Sequence, residues 1–193
     1  MSNSTNGNLL KIANRVLKIG GRVLTQPKSS FPEVQIGSQI WMSKNLAIDD
    51  GGEGIYTQTV NYGQGPVVEY YYTWDAAMRV AESVQGWHLP SFLEWGFLAT
   101  DVGGTFIAGT KLKSTYGWTS GKGTDDYGFS AFPAGYENSG SFNNFGSRAY
   151  FWTSSKYNLA QAYYRYFDGT GLMGGTYIDI RRGYSVRLIK DPQ

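Results

Sequence analysis

The chain has 193 residues and a mass of 21.4 kDa, enough for one large domain or one domain with a short arm. Seventeen Lys and Arg stand against fifteen Asp and Glu, and the resulting net charge of +2 provides no strongly basic field for nucleic acid or for an anionic membrane. Zero cysteines and a single histidine remove disulfides, thiol nucleophiles, thiolate metal sites and multi-histidine metal sites together.

Twenty-six glycines and fifteen tyrosines favour short strands and many turns over a helical bundle. Residues 1–33 differ from the rest and read as an arm, with residues 34–193 as the main domain. In the arm, Arg15 to Ile19 and Arg22 to Thr25 flank Gly20-Gly21 with hairpin spacing, while Leu9, Ile12, Ala13, Val16 and Leu17 also fit an amphipathic helix over 9–19. Met1 to Asn8 lacks the profile of a secretion signal, and no apolar run approaches the ~20 residues that span a bilayer, so a chain without membrane insertion is expected.

The main domain opens with alternating segments over Val34 to Trp41 about Gly37-Ser38. Asp49 to Gly65 reads as a glycine-rich acidic loop, and Val67 to Tyr72 as a strand. Thr73 is placed to cap a helix over Trp74 to Val84 whose stripe is Trp74, Ala77, Met78, Ala81 and Val84. Ser91 and Glu94 form a capping box after Pro90, opening a second helix that ends near Gly103-Gly104. Beyond Gly109 the spacing predicts only strands, over 128–133, 149–154, 162–168, 176–180 and 184–189. Two helices packed on short, mostly antiparallel strands make an α+β fold.

Seven ordered blocks carry a resemblance. They are Ile36-Gly-Ser-Gln-Ile-Trp-Met-Ser-Lys-Asn-Leu46, Tyr72-Thr-Trp-Asp-Ala-Ala-Met78, Gly86-Trp-His-Leu-Pro-Ser-Phe-Leu-Glu-Trp95, Ala108-Gly-Thr-Lys-Leu-Lys-Ser114, Gly123 to Gly135, Ala149-Tyr-Phe-Trp-Thr-Ser-Ser155 and Gly183-Tyr-Ser-Val-Arg-Leu188. Together, over about residues 34–191, the chain resembles the Fibrobacter succinogenes major paralogous domain family of Bacteroidetes-type bacteria and their phages. The resemblance implies a C-type-lectin-like fold, shared with formylglycine-generating-enzyme relatives and with the variable proteins of diversity-generating retroelements. The enzyme branches of that fold need cysteines at a copper site or a histidine cluster for iron, and this chain has neither set.

Other chemical motifs dissolve in context. Gly169-Thr-Gly-Leu-Met-Gly174 matches a dinucleotide pattern, but a strand rather than a helix is expected after it. His88 reads as a core or capping histidine. Asp125 and Asp126, in the Gly121 to Gly128 loop, fit a solvated Asx turn, with a structural calcium as the alternative. No cofactor and no catalytic residue are assigned.

The sharper signal lies near the carboxy terminus. Alternation places Tyr164, Tyr166 and Asp168 on one face of a strand, and Tyr177, Asp179 and Arg181 opposite Ile178 and Ile180 on the next. Tyr and Arg are hot-spot residues of binding surfaces. Tyr157, Asn158, Thr170, Arg181 and Arg182 also interrupt the family blocks where asparagine-rich positions are expected in related chains, which fits adenine-directed diversification. The expectation is a non-enzymatic binding module whose ligand face spans residues 157–182. Its partner would be a cell-surface glycan or protein receptor, its location a virion or the cell exterior. A structural virion or appendage subunit, monomeric or oligomeric and docked through residues 9–25, is the alternative, with a hydrolase using Asp125, Asp126 or Glu94 as a third.

Overall fold

The computed structural model describes residues 31–192 and, in the arm, two short strands, β1 (Lys18–Ile19) and β2 (Arg22–Val23). These pair antiparallel with Lys18 opposite Val23 and Ile19 opposite Arg22. The remainder of the 9–25 docking segment lies outside the described residues.

The main domain is α+β. β3 (Glu33–Ile36) and β4 (Gln39–Met42) form a hairpin about Gly37, whose φ of +59° suits glycine. β4 then pairs with β13 (Ile189–Lys190), and β13 with β7 (Trp87–His88), giving the order β3-β4-β13-β7. The domain's opening hairpin and its last strand therefore share one sheet, with β13 beside β4. β5 (Ile55–Asn61) and β6 (Pro66–Tyr72) form a second hairpin. β5 corrects the reading of 49–65 as loop: Ile55-Tyr-Thr-Gln-Thr-Val60 is rich in β-formers, and the glycines on either side of it only delimit the strand.

The helix starts follow their caps. Thr73 Oγ1 accepts from the Ala76 amide at the start of α1 (Trp74–Glu82). At α2 (Phe92–Asp101), Ser91 Oγ accepts from the Glu94 amide at 3.1 Å while Glu94 Oε2 accepts from the Ser91 amide at 2.6 Å. A third helix, α3 (Thr105–Leu112), corrects the count of two. Its β-branched Thr105, Ile107 and Thr110 and its interior Gly109 lower helix propensity, and packing overrides that deficit. Gly109 lies against the loop at Gly171, where its N–H donates to the Gly171 carbonyl at 2.8 Å.

β8 (Tyr136–Asn138) and β9 (Ser141–Asn143) make a small hairpin, and β10 (Ala149–Lys156), β11 (Gln161–Phe167) and β12 (Met173–Asp179) an antiparallel sheet. The strand expected over 128–133 is absent. Ser130 takes φ of +51°, and a single bridge joins Ala131 to Lys113. Tyr184 to Leu188 threads the interior instead of forming a continuous strand, bridging Tyr72 through Tyr184 and Phe151 through Ser185. Tyr184, Val186 and Leu188 are core, as their alternation suggests, but Ser185 and Arg187 are buried as well.

The β10-β11-β12 sheet divides two cores. One gathers Trp74, Val80, Trp152, Ala162, Val186 and Leu188 around α1, and the other Trp41, Trp95, Phe129, Phe151 and Phe167 against α2 and α3. In the second, Trp41 and Trp95 ring centroids are 4.8 Å apart and Phe129 meets both edge-on at 5.8 Å, the geometry aromatic quadrupoles favour.

Candidate functional site

Strand alternation assigns the side chains of the central sheet to two faces. Phe151, Arg165, Phe167 and Met173 point to the side of α2 and α3, where Arg165 is buried with its guanidinium 3.5 Å from the Phe92 ring centroid. On the other face Tyr150, Trp152 and Ala162 enter the α1 core, while Tyr164 and Tyr166 pack against its edge. Tyr136 from β8 and Tyr184 from the threaded segment join them. Centroid separations are 5.3 Å for Tyr136–Tyr150, 5.1 Å for Tyr150–Tyr184 and 5.0 Å for Tyr164–Tyr184. Tyr150 and Tyr184 are buried, forming a floor, and Tyr136, Tyr164 and Tyr166 are half-buried above it. Tyr166 lies flat over Gly174 on β12, where a Cβ would sit 2.1 Å from its Cζ.

The cluster is polar at its edges. Asn144 Nδ2 donates to the Tyr150 hydroxyl at 2.8 Å and Arg148 Nη1 at 3.4 Å, and the Arg182 guanidinium lies 5.7 Å from the Tyr136 centroid. Burial, then the neighbouring tyrosines, pushes the Tyr164 and Tyr184 hydroxyls above their ordinary range, so near neutrality they act as neutral donors and acceptors. Beside Tyr136, Asn138 and Ser139 at the β8–β9 turn face Asp179, Arg181 and Arg182 at the end of β12 across a cleft of about 190 Å³. Reciprocal N–H···O bonds of 2.8 and 3.0 Å between Glu137 and Gly183 hold the two turns together, and a Cβ on Gly183 would meet Glu137 Cβ at 2.8 Å. Asp179 pairs with Arg181, whose hydrogen bonds hold the carboxyl down at about 2. Arg148 and Arg182 take part in no ion pair among the described residues.

The ten residues singled out by sequence do not share one face. Tyr164 and Tyr166 join the tyrosine cluster, and Asp179, Arg181 and Arg182 line the cleft. Tyr157 and Tyr177 stack on each other at 3.7 Å with planes 4° apart, on the helix side with Tyr163. Asn158 is occupied in the β10–β11 turn, donating to Gln161 Oε1 at 2.8 Å and accepting from the Ala160 amide at 2.9 Å. Asp168 Oδ1 accepts from the amide and the hydroxyl of Thr170. The carbonyls of both, with that of Gly121, receive the buried Lys113 ammonium, at 2.7 Å from Asp168 and 2.6 Å from Thr170. Tyr136, Asn138, Ser139, Arg148 and Tyr150 were not singled out. Only alternation in 149–154, combined with the pairing register, could have placed Tyr150 beside Tyr164.

Comparison with protein families adds one finding. The model of the Fibrobacter succinogenes major domain matches residues 34–190. The chain belongs to that family. No curated protein and no solved structure matches it. The matched span begins in β3 and ends in β13, the strands whose sheet closes the domain.

Several motif residues of this Fibrobacter succinogenes major domain are structural. Arg187, fully buried, donates to the Met42 and Phe129 carbonyls and to Asn45 Oδ1, and Asn45 donates to the buried Glu69 at 3.0 Å. Burial raises the Glu69 pKa against the bonds from Asn45 and Tyr62. Asp125 accepts from both the amide and the hydroxyl of Ser130, five residues on and partly buried, closing its loop in place of the solvated Asx turn expected. Among the described residues no cluster of three or more His, Asp or Glu side chains is placed to hold a metal ion, and no helix is long and apolar enough to cross a membrane. His88 links Glu94, at 2.9 Å, to Asp191, at 2.7 Å, tying the start of α2 to the carboxy-terminal segment.

Proposed function

We propose that the domain is a non-enzymatic binding module that holds a cell-surface glycan or protein receptor on the tyrosine face. The observation that supports this reading is the layering of the cluster, in which Tyr136, Tyr164 and Tyr166 rest on the buried rings of Tyr150 and Tyr184. Rings fixed in advance lose little entropy on binding, and tyrosine offers an apolar face with a polar tip. The engagement of Glu69, Lys113, Asp125 and Arg187 with their own loops is in keeping with a scaffold role for the buried charges. We read the scaffold as C-type-lectin-like, consistent with strands from the two ends of the domain pairing in one sheet. A phage or retroelement-diversified origin is part of the proposal; a genomic neighbourhood without a reverse transcriptase and template repeat would remove the diversification.

The experiment is binding of labelled protein to a panel of bacterial cells and their isolated surface glycans. Tyr164→Ala with Tyr166→Ala should weaken selective binding at least about tenfold, the loss of roughly 1.4 kcal/mol. Tyr157→Ala with Tyr177→Ala, on the opposite face, should change it less than about twofold. The reverse pattern in folded variants would move the site to the helix side. A second reading, a virion or appendage subunit, is favoured by the exposed Leu93 and Phe97 on α2 and Phe106 and Ile107 on α3.

A further inference from the structure

Charge bookkeeping around the tyrosine face narrows the ligand. Of the three arginines at its margin, Arg181 is neutralised by Asp179 through contacts of 2.9 Å from Nε and 2.5 Å from Nη2. Among the described residues Arg148 and Arg182 make no close ion pair, and feel Asp168 and Asp179 respectively only at longer range. Each instead contacts a tyrosine, Arg148 at the Tyr150 hydroxyl and Arg182 at the Tyr136 ring, and those two rings touch at 5.3 Å. The margin thus carries two guanidiniums outside any close ion pair, one beside the Tyr136 ring and one at the Tyr150 hydroxyl.

Shape points the same way. The cleft beside Tyr136 is about 190 Å³, roughly the liquid volume of six waters at ~30 Å³ each, and below the ~300 Å³ floor of drug-sized pockets. A site of this size suits a small polar unit such as one sugar ring. Its walls offer amide, hydroxyl, carboxylate and guanidinium groups from Asn138, Ser139, Asp179, Arg181 and Arg182, a set matched to the hydroxyls of a sugar edge, while Arg148 lies outside the cleft. The adjoining tyrosine rings match the apolar face of the same or the next sugar.

We propose that the ligand of this face is an acidic saccharide, with a ring stacked on Tyr136, Tyr164 or Tyr166 and its carboxylate or sulfate held by Arg182 and Arg148. This inference rests on the tyrosine face being the binding site. A guanidinium binds either anion through paired, charge-assisted N–H···O bonds. A neutral glycan or a cationic peptide would leave both guanidiniums unmatched.

The test is a printed array of uronic-acid, sulfated and neutral oligosaccharides probed with the full chain, followed by titration of each hit. Uronic and sulfated hits bind in the expected result, and separate the two anions from each other. A uronic hit should lose at least about tenfold in affinity when its carboxylates are reduced to alcohols, and Arg182→Gln or Arg148→Gln should each cause a comparable loss with unchanged melting temperature. Tyr136→Ala should also abolish the acidic hit, whereas attraction to charge alone would survive it. Neutral hits only, or acidic hits indifferent to both arginine variants, would overturn the acidic assignment while leaving a glycan-binding tyrosine face. An array with no hits would overturn the saccharide assignment altogether, and cell binding that still depended on Tyr164 and Tyr166 would then indicate a protein receptor.

Discussion

His88 illustrates how one side chain couples distant parts of the chain. Burial alone would lower its pKa, but the bonds to Glu94 and Asp191 outweigh burial and raise it. The folded state therefore favours the imidazolium. The stabilisation is fully present below the unfolded value of about 6.5 and is lost as pH rises through the higher folded value. His88→Gln should shift the urea midpoint more at about pH 5.5 than at about pH 9. Equal shifts at both pH values would refute the charged bridge. The capping box of Ser91 and Glu94 was legible because it is a local pattern, whereas His88, half-buried and bonded to two carboxylates, is neither a core nor a capping side chain. The pairing with Asp191 was not legible, since it spans 103 residues and exists only once β13 lies against β7.

At the level of elements, legibility follows the range of the deciding interaction. The starts of α1 and α2 were readable from side chains that bond amides three residues on. α3 was hidden because its stability lies in contacts made elsewhere. Alanine in a helix interior ordinarily adds about 1 kcal/mol over glycine. At Gly109, however, a Cβ would stand 2.7 Å from the Leu172 carbonyl oxygen and 2.8 Å from that of Gly171, both backbone atoms. Gly109→Ala should therefore destabilise by about 1–3 kcal/mol in urea unfolding, and a gain in stability would contradict this packing. The ligand face failed to assemble as read because alternation gives parity within a strand but not between strands. Tyr177 pairs with Tyr163, and Tyr164 with Thr176, so Tyr164 and Tyr177 point to opposite sides. That register is set by the connection from Phe167 to Met173, which is anchored on Lys113 and α3.

For the whole molecule, the central sheet separates two surfaces of different character. The tyrosines lie on one side, and α2 and α3, with Leu93 65% and Phe106 84% exposed, on the other, so receptor binding and assembly would not compete for space. If the helices carry a subunit contact, sedimentation should give a mass above 21.4 kDa, and Phe97→Ser with Phe106→Ser should return it to the monomer without disturbing the tyrosine face. A monomer before substitution would discard the contact. The α+β class was visible from glycine spacing and helix caps, whereas the closure of the domain by β3, β4 and β13 needed the three-dimensional arrangement. Lys113 adds a property of another kind. The residue is 1% exposed, and its ammonium is bound to carbonyls of two loops far apart in sequence. An acylating reagent can reach that nitrogen only when the loops part, so the rate at which Lys113 is labelled, followed by peptide mass spectrometry, is a clock for the opening of the connection between β11 and β12 in the intact protein.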